Sequence, residues 1–237
     1  MDKKLTKPET QERCFAFQDL SNLNPGWRDI LHLGRRLTYM KGKTVAMGES
    51  LYFLDKGKIR LSHMSLQGVE KILWYLHEGC VFGETPIFDH VPPAGSFYAS
   101  SDCVVYSFSN DVVERIAKMR PDLMLELFHS MARKMRCLSE QASSLFIDSL
   151  KVRTIRFLAQ HIVPGTRPIK VDLGITKQEM ATFLGVHRIS LYKILKDYEE
   201  RGVLSAFSGN QVTILDEEAF FQGFSAVSVD DKGKMMG

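Results

Sequence analysis

The chain has 237 residues, 44% of them hydrophobic and 25% charged, enough for two modest domains that each bury a core. No uncharged apolar run approaches the roughly 20 residues a bilayer span needs. The start, MDKKLTKPETQERC, lacks the apolar stretch of a secretory signal, so no membrane partner and a cytoplasmic location are expected. A formal net charge of +3 excludes a protein that is basic all over, so any nucleic-acid surface has to be local.

Cys14, Cys80, Cys103 and Cys137 are far apart and form no C-x-x-C pair, which argues against a structural zinc site or a cysteine-held cluster. They read as reduced, structural thiols; Cys14, near the N-terminus, is the one whose redox activity is worth testing.

From about residue 40 to 109, short alternating apolar runs are punctuated by Gly57, Gly68 and Gly79, with turns expected at 55–57, 65–68 and 77–79. That rhythm predicts an antiparallel all-β domain, and its even spacing suits a jelly roll. Trp74, Tyr75, Phe82, Phe88, Phe97 and Tyr98 supply aromatic density that ordinarily means core. No H-x-H pair or clustered His/Glu set occurs there, so neither catalytic nor metal-ligand residues are expected. His63, His77, His90 and His129 are the candidate axial ligands if the domain holds haem.

A helix follows whose apolar positions Met124, Phe128, Met131, Met135, Leu138, Ala142 and Leu145 step alternately by four and three. A 3.5-residue repeat keeps one stripe facing a partner helix, which predicts a parallel coiled-coil homodimer. Near Leu123 and Leu127 the same helix can instead cover its own β-domain. Phe146-Ile147-Asp148 ends the seam, and a second helix follows with Val152, Ile155 and Leu158 on one face.

The segment ITKQEMATFLGVHRISLYKIL reads as a helix-turn-helix. Thr176 and Glu179 form a capping box, Met180, Ala181 and Leu184 form an apolar face, and Gly185 supplies the tight turn. In the second helix Leu191, Ile194, Leu195 and Tyr198 repeat at i, i+3, i+4, i+7, leaving His187, Arg188, Ile189, Tyr192, Lys193 and Lys196 outward. Lys177, Arg188, Lys193 and Lys196 against Glu179 leave an excess of three positives over residues 176–196. Ile189 and Tyr192 among those cations fit a helix that reads thymine methyls in double-stranded DNA better than a merely solvated face. Downstream, residues 203–204 and 212–215 flank the Ser208-Gly209-Asn210 turn, as in the hairpin of a winged helix.

These residues resemble the recognition segment of the Crp/Fnr family of bacterial transcription regulators, G-x-x-R-x-[ST]-x-x-[RK]-[IVL]-L, matched by Gly185, Arg188, Ser190, Lys193, Ile194 and Leu195. The resemblance covers nearly the whole chain. It implies that Arg188 reads a guanine edge, that Lys193 meets a base or nearby phosphate, and that Ser190, Lys177 and Gln178 meet the backbone. Ile189 stands where the cyclic-AMP receptor branch has glutamate, which favours thymine over cytosine there. The resemblance further implies an α+β chain with a cyclic-nucleotide-binding-like β jelly roll over 1–122, a dimerisation helix over 123–147 and a winged helix-turn-helix over 148–225; the tail over 226–237 has little to bury and is expected to be disordered. The resemblance makes the junction at Asp148 a hinge and RNA polymerase a partner.

In the cyclic-AMP branch an F-G-E sequence is followed some ten residues later by R-S. Phe82-Gly83-Glu84 keeps the first part, but Ala94-Gly95-Ser96-Phe97 supplies no arginine for a phosphate, so cyclic AMP is not the expected effector. KILWYLHEGCVFGE and GSFYASS resemble instead the halorespiration regulators of the family, which respond to chlorinated phenols; Glu84 departs from that branch's lysine. The effector-binding set read this way is Tyr75, Gly83, Glu84, Ser96, Tyr98, Lys134 and Ser139. The whole reads as an effector-responsive DNA-binding regulator rather than an enzyme. Its rivals are a cupin-type metal enzyme and a ligand-binding adaptor that does not touch DNA.

Overall fold

The computed structural model describes residues 19–66, 70–93 and 95–222. Cys14, Gly68 and the 226–237 tail lie outside them. The chain divides into two compact units, Gln18–Leu138 and the segment from Ser139 onward.

The first unit is a two-sheet β-roll. One sheet has the order β1-β5-β4-β7, formed by Asp19–Leu20, Glu70–Leu76, Ile59–Met64 and Ser96–Ala99. The other has the order β2-β8-β3-β6, from Arg35–Tyr39, Cys103–Ser109, Ser50–Lys56 and Cys80–Phe82. Between them lies a core of Leu54, Leu61, Trp74, Leu76, Phe82, Phe97 and Val105 with Cys137 of the long helix. Side chains alternate along a strand, so the opposite face of β3 sends Leu51 and Phe53 into a second core with Trp27, Val81, Phe108, Leu123 and Leu127. Strands β3 and β6 are therefore buried on both faces, which is why β3 runs Leu51 to Leu54 without a charged residue. A 3-10 helix (Pro25–Leu33), α1 (Glu84–Phe88), α2 (Asn110–Met119) and α3 (Pro121–Ile147) contribute to that outer layer. The expected turns fall where two glycines need positive φ, Gly57 (+98°) and Gly79 (+80°).

α3 is a single helix of 27 residues. Leu123, Leu127, Ser130, Lys134, Cys137, Gln141 and Ser144 are buried along it, themselves spaced four and three apart. The stripe expected to form the seam is the next one round. Phe128 (62%), Met135 (69%), Leu138 and Leu145 are exposed, while Met124 and Met131 lean partly on the second core. The sequence reading assigned only the first turns to the β-domain; in fact one heptad stripe packs inward as far as Cys137, and the neighbouring stripe stays open.

In the second unit α4 (Leu150–Gln160) starts at Ser149, whose side chain accepts from the Val152 N–H. At the corner, Asp148 accepts from Ser144 Oγ at 2.7 Å and pairs with Arg156, tying the end of α3 to α4. The expected face of Val152, Ile155 and Leu158 is buried, joined by Thr154 and Phe157. α5 (Lys177–Leu184) and α6 (Arg188–Glu200) form the helix-turn-helix, and α7 (Glu217–Gln222) closes the unit. The wing has one strand more than the hairpin read from sequence. Leu204 bridges Ile214 and Ser208 bridges Gln211, but β10 (Gln211–Thr213) also pairs antiparallel with β9 (Lys170–Asp172).

Asp172 ties that extra strand down, accepting from Gln211 Nε2 at 2.9 Å and from the Gly174 N–H at 3.0 Å. The Gln211 bond, then the Gly174 bond, hold its carboxyl below the ordinary aspartate value. A depressed folded pKa stabilises above the unfolded pKa, and that contribution is lost as pH falls through the folded one. Asp172→Asn should therefore lower amide protection in the β9–β10 ladder at neutral pH, and its difference from wild type should close in acid, as read by hydrogen exchange.

Candidate DNA-reading surface and effector site

The capping box expected from sequence is formed. Thr176 Oγ1 accepts from the Glu179 N–H at 3.1 Å, and Glu179 Oε2 accepts from the Thr176 N–H at 2.9 Å. Gly185 ends α5 at φ +68°, a left-handed conformation that favours glycine. Met180, Ala181, Phe183 and Leu184 are buried, as are Leu191, Leu195 and Tyr198 of α6, so the two helices pack through the faces assigned to them. His187, expected on the reading surface, is exposed and also closes the N-terminus of α6, its Nδ1 accepting from the Ile189 N–H at 3.4 Å.

Arg188, Ile189, Ser190, Tyr192, Lys193 and Lys196 are all exposed. Ile189 is 54% exposed and lies among these cations. Lys196 pairs with Glu200 at 3.4 Å, whereas Arg188 and Lys193 have no carboxylate within ion-pair distance among the described residues. Gln178 is exposed and Lys177 half-buried at the start of α5. The surface thus presents two uncompensated cations, a hydroxyl and two apolar side chains from one helix, a combination suited to phosphates and base edges together. Arg153 was not singled out from sequence. It donates Nη1 to the Leu184 carbonyl at 2.8 Å, bracing the end of α5 from α4; no local pattern announces a partner 31 residues away.

The effector set is divided by the fold. Gly83, Glu84 and Lys134 come together: Lys134 Nζ donates to the Val81 carbonyl at 2.7 Å and pairs with Glu84, both side chains being largely buried. Gly83 has φ +90°, and a Cβ there would stand 2.8 Å from Tyr52 and 2.9 Å from the Ser50 carbonyl oxygen, so backbone fit alone requires the glycine. Tyr75 and Tyr98 alternate with Trp74, Leu76, Phe97 and Ala99, which face the inter-sheet core, and so lie on the other side of the sheet. There Arg60 is registered against both, stacking over Tyr98 at 5.1 Å, and Lys58 sits over Tyr75 at 4.1 Å. Ser96 is exposed at the start of β7. Ser139 is five residues beyond Lys134, about 140° round the helix, and is exposed.

Just before β7, a Cβ at Gly95 would lie 2.7 Å from the Ser62 carbonyl oxygen, so the close approach of the two backbones requires a glycine there. Among the described residues no three His, Cys, Asp or Glu side chains gather to hold a metal ion, and no helix is long and apolar enough to cross a membrane.

A β-roll sensor followed by a winged helix-turn-helix with an outward cationic helix defines a DNA-binding regulator. The sequence matches the cyclic nucleotide-binding domain family over residues 41–120 and the Crp-like helix-turn-helix domain family over 152–221. The cAMP-activated global transcriptional regulator CRP of Pasteurella multocida is 30% identical over 67% of this chain and 78% of its own length. That of Salmonella typhimurium is 26% identical over 85% of this chain and 94% of its own. Among solved structures, the OCPA-complexed form of a cysteine-to-serine variant of CprK superposes with a TM-score of 0.72 at 17% identity, covering 88% of this chain and 99% of that chain. A mutant CooA from Carboxydothermus hydrogenoformans gives 0.70 at 18%, covering 82% and 89%. The chain belongs to the Crp/Fnr family of transcription regulators. These relatives are effector-responsive regulators rather than enzymes, which favours the regulator reading over the cupin and adaptor alternatives.

Proposed function

We propose that the protein acts in the cytoplasm as a homodimer on a palindromic operator, recruiting or blocking RNA polymerase in response to a small effector that carries no phosphate. The observation that carries the DNA reading is the exposure of Arg188, Ile189 and Lys193 on one helix, with no carboxylate within ion-pair distance of either cation among the described residues. Arg188 reads a guanine edge, Ile189 meets a thymine methyl, Lys193 contacts a base or phosphate, and His187, Ser190, Lys177 and Gln178 meet the backbone. Two-fold symmetry through the open stripe of α3 sets the two recognition helices about one DNA turn apart, hence the palindrome.

The effector works as a population shift between DNA-competent and DNA-incompetent dimers. The Glu84–Lys134 pair and the glycine at position 95 support an effector other than cyclic AMP. Aromatic acids, phenols and haem are the candidates to screen.

The test is selection of bound duplexes from a random pool, with and without those compounds. Arg188→Ala should weaken binding to the selected duplex by about 1–3 kcal/mol, roughly 5- to 150-fold, and relax preference at one base pair in each half-site. Unchanged affinity and base preference would reject the contact.

A further inference from the structure

Lys177 sits in the first turn of α5 with its ammonium over two aromatic rings at once. Nζ is 4.8 Å from the centroid of Phe207 and 5.8 Å from that of Tyr192, both within cation–π reach. Phe207 precedes the Ser208-Gly209-Asn210 turn of the wing and Tyr192 projects from the recognition helix, so one cation joins three elements of the DNA-reading unit. Among the described residues no carboxylate neutralises it. Glu179, the acidic residue of that turn, is engaged by Thr176 through N–H and Oγ1 at 2.9 and 3.0 Å. A cation in the first turn also opposes the helix dipole. Free protein gains little from a charge held there uncompensated, whereas a phosphate supplies the missing counter-charge.

We propose that Tyr192 and Phe207 are positioning residues which hold the Lys177 ammonium at one place on the DNA backbone, so that the wing and the recognition helix share a single phosphate contact. The inference rests on the DNA-binding reading and deepens it. Neither ring contributes charge, yet loss of either should release the ammonium into solvent and cost the counterion displacement that a fixed contact provides.

The experiment measures affinity of the full-length protein for the selected duplex across a salt series, with folding of each variant checked by circular dichroism. Lys177→Met should lower the slope of log affinity against log salt by about one. Tyr192→Leu and Phe207→Leu, which remove no charge, should lower it comparably, while Tyr192→Phe keeps the wild-type slope. A base contact by Tyr192 would change sequence preference without moving the slope, so the slope isolates the positioning role. If wild type binds, Arg188→Ala loses affinity, and both leucine variants keep the wild-type slope, this inference falls and the DNA-binding reading stands. Salt-independent or absent binding by wild type overturns both.

Discussion

Glu84→Ala should destabilise the sensor unit by about 3–5 kcal/mol, because among the described residues it strands the buried Lys134 ammonium with only the Val81 carbonyl for a partner. Side-chain exposures of 8% for Lys134 and 14% for Glu84 leave little water to take over the charge. The double substitution Glu84→Leu with Lys134→Met should recover most of that loss or exceed wild type, since replacing both charges by apolar groups of similar size removes the desolvation cost along with the attraction. Urea unfolding followed by tryptophan fluorescence is the readout. Both tryptophans, Trp27 and Trp74, lie in the sensor unit and are buried, so the signal reports that unit alone. A double variant as unstable as the single one would show that the pair contributes through shape, not charge. The pair also joins α3 to the segment that opens α1, which makes it the first place to look for altered effector response.

The second large effect is expected at the open stripe of α3. Phe128 and Met135 are 62% and 69% exposed in one chain, and a homodimer would cover them twice over. At about 1.5–3 kcal/mol per buried apolar side chain, the four residues of two copies contribute on the order of 6–12 kcal/mol, an upper range given that none is bare to begin with. Phe128→Glu combined with Met135→Glu should convert the protein to a monomer in sedimentation velocity while leaving the sensor's unfolding midpoint near wild type. Arg133→Glu, on the same helix but away from the stripe, should leave the dimer intact. A double variant that still sediments as a dimer would place the two-fold interface elsewhere.

Local chemistry made much of this architecture legible before any coordinates. Capping at Thr176–Glu179, the αL turn at Gly185, the 3.6-residue repeat of α6 and the glycine-punctuated strands depend on neighbours a few residues away, and all are found where the sequence put them. Interactions between distant segments were not legible. β9 is three residues long and has no pattern of its own until β10 lies beside it. The effector set implied by the family resemblance is not brought to one place: strand alternation sends Tyr75 and Tyr98 to the face opposite Phe97, and helical rotation carries Ser139 away from Lys134.

Along single stretches of chain, periodicity and backbone preference are enough to specify the helix-turn-helix, the glycine-punctuated strands of the sensor, the polar face of the recognition helix and the 3.5-residue repeat of α3. Only the tertiary structure decided which of two adjacent stripes on α3 faces the sensor core, that Lys134 is neutralised by Glu84, and that Lys177 lies between Tyr192 and Phe207. The last two outcomes turn on groups that meet across 50, 15 and 30 positions of chain, and burial and charge pairing act on proximity in space, which no single window of sequence contains.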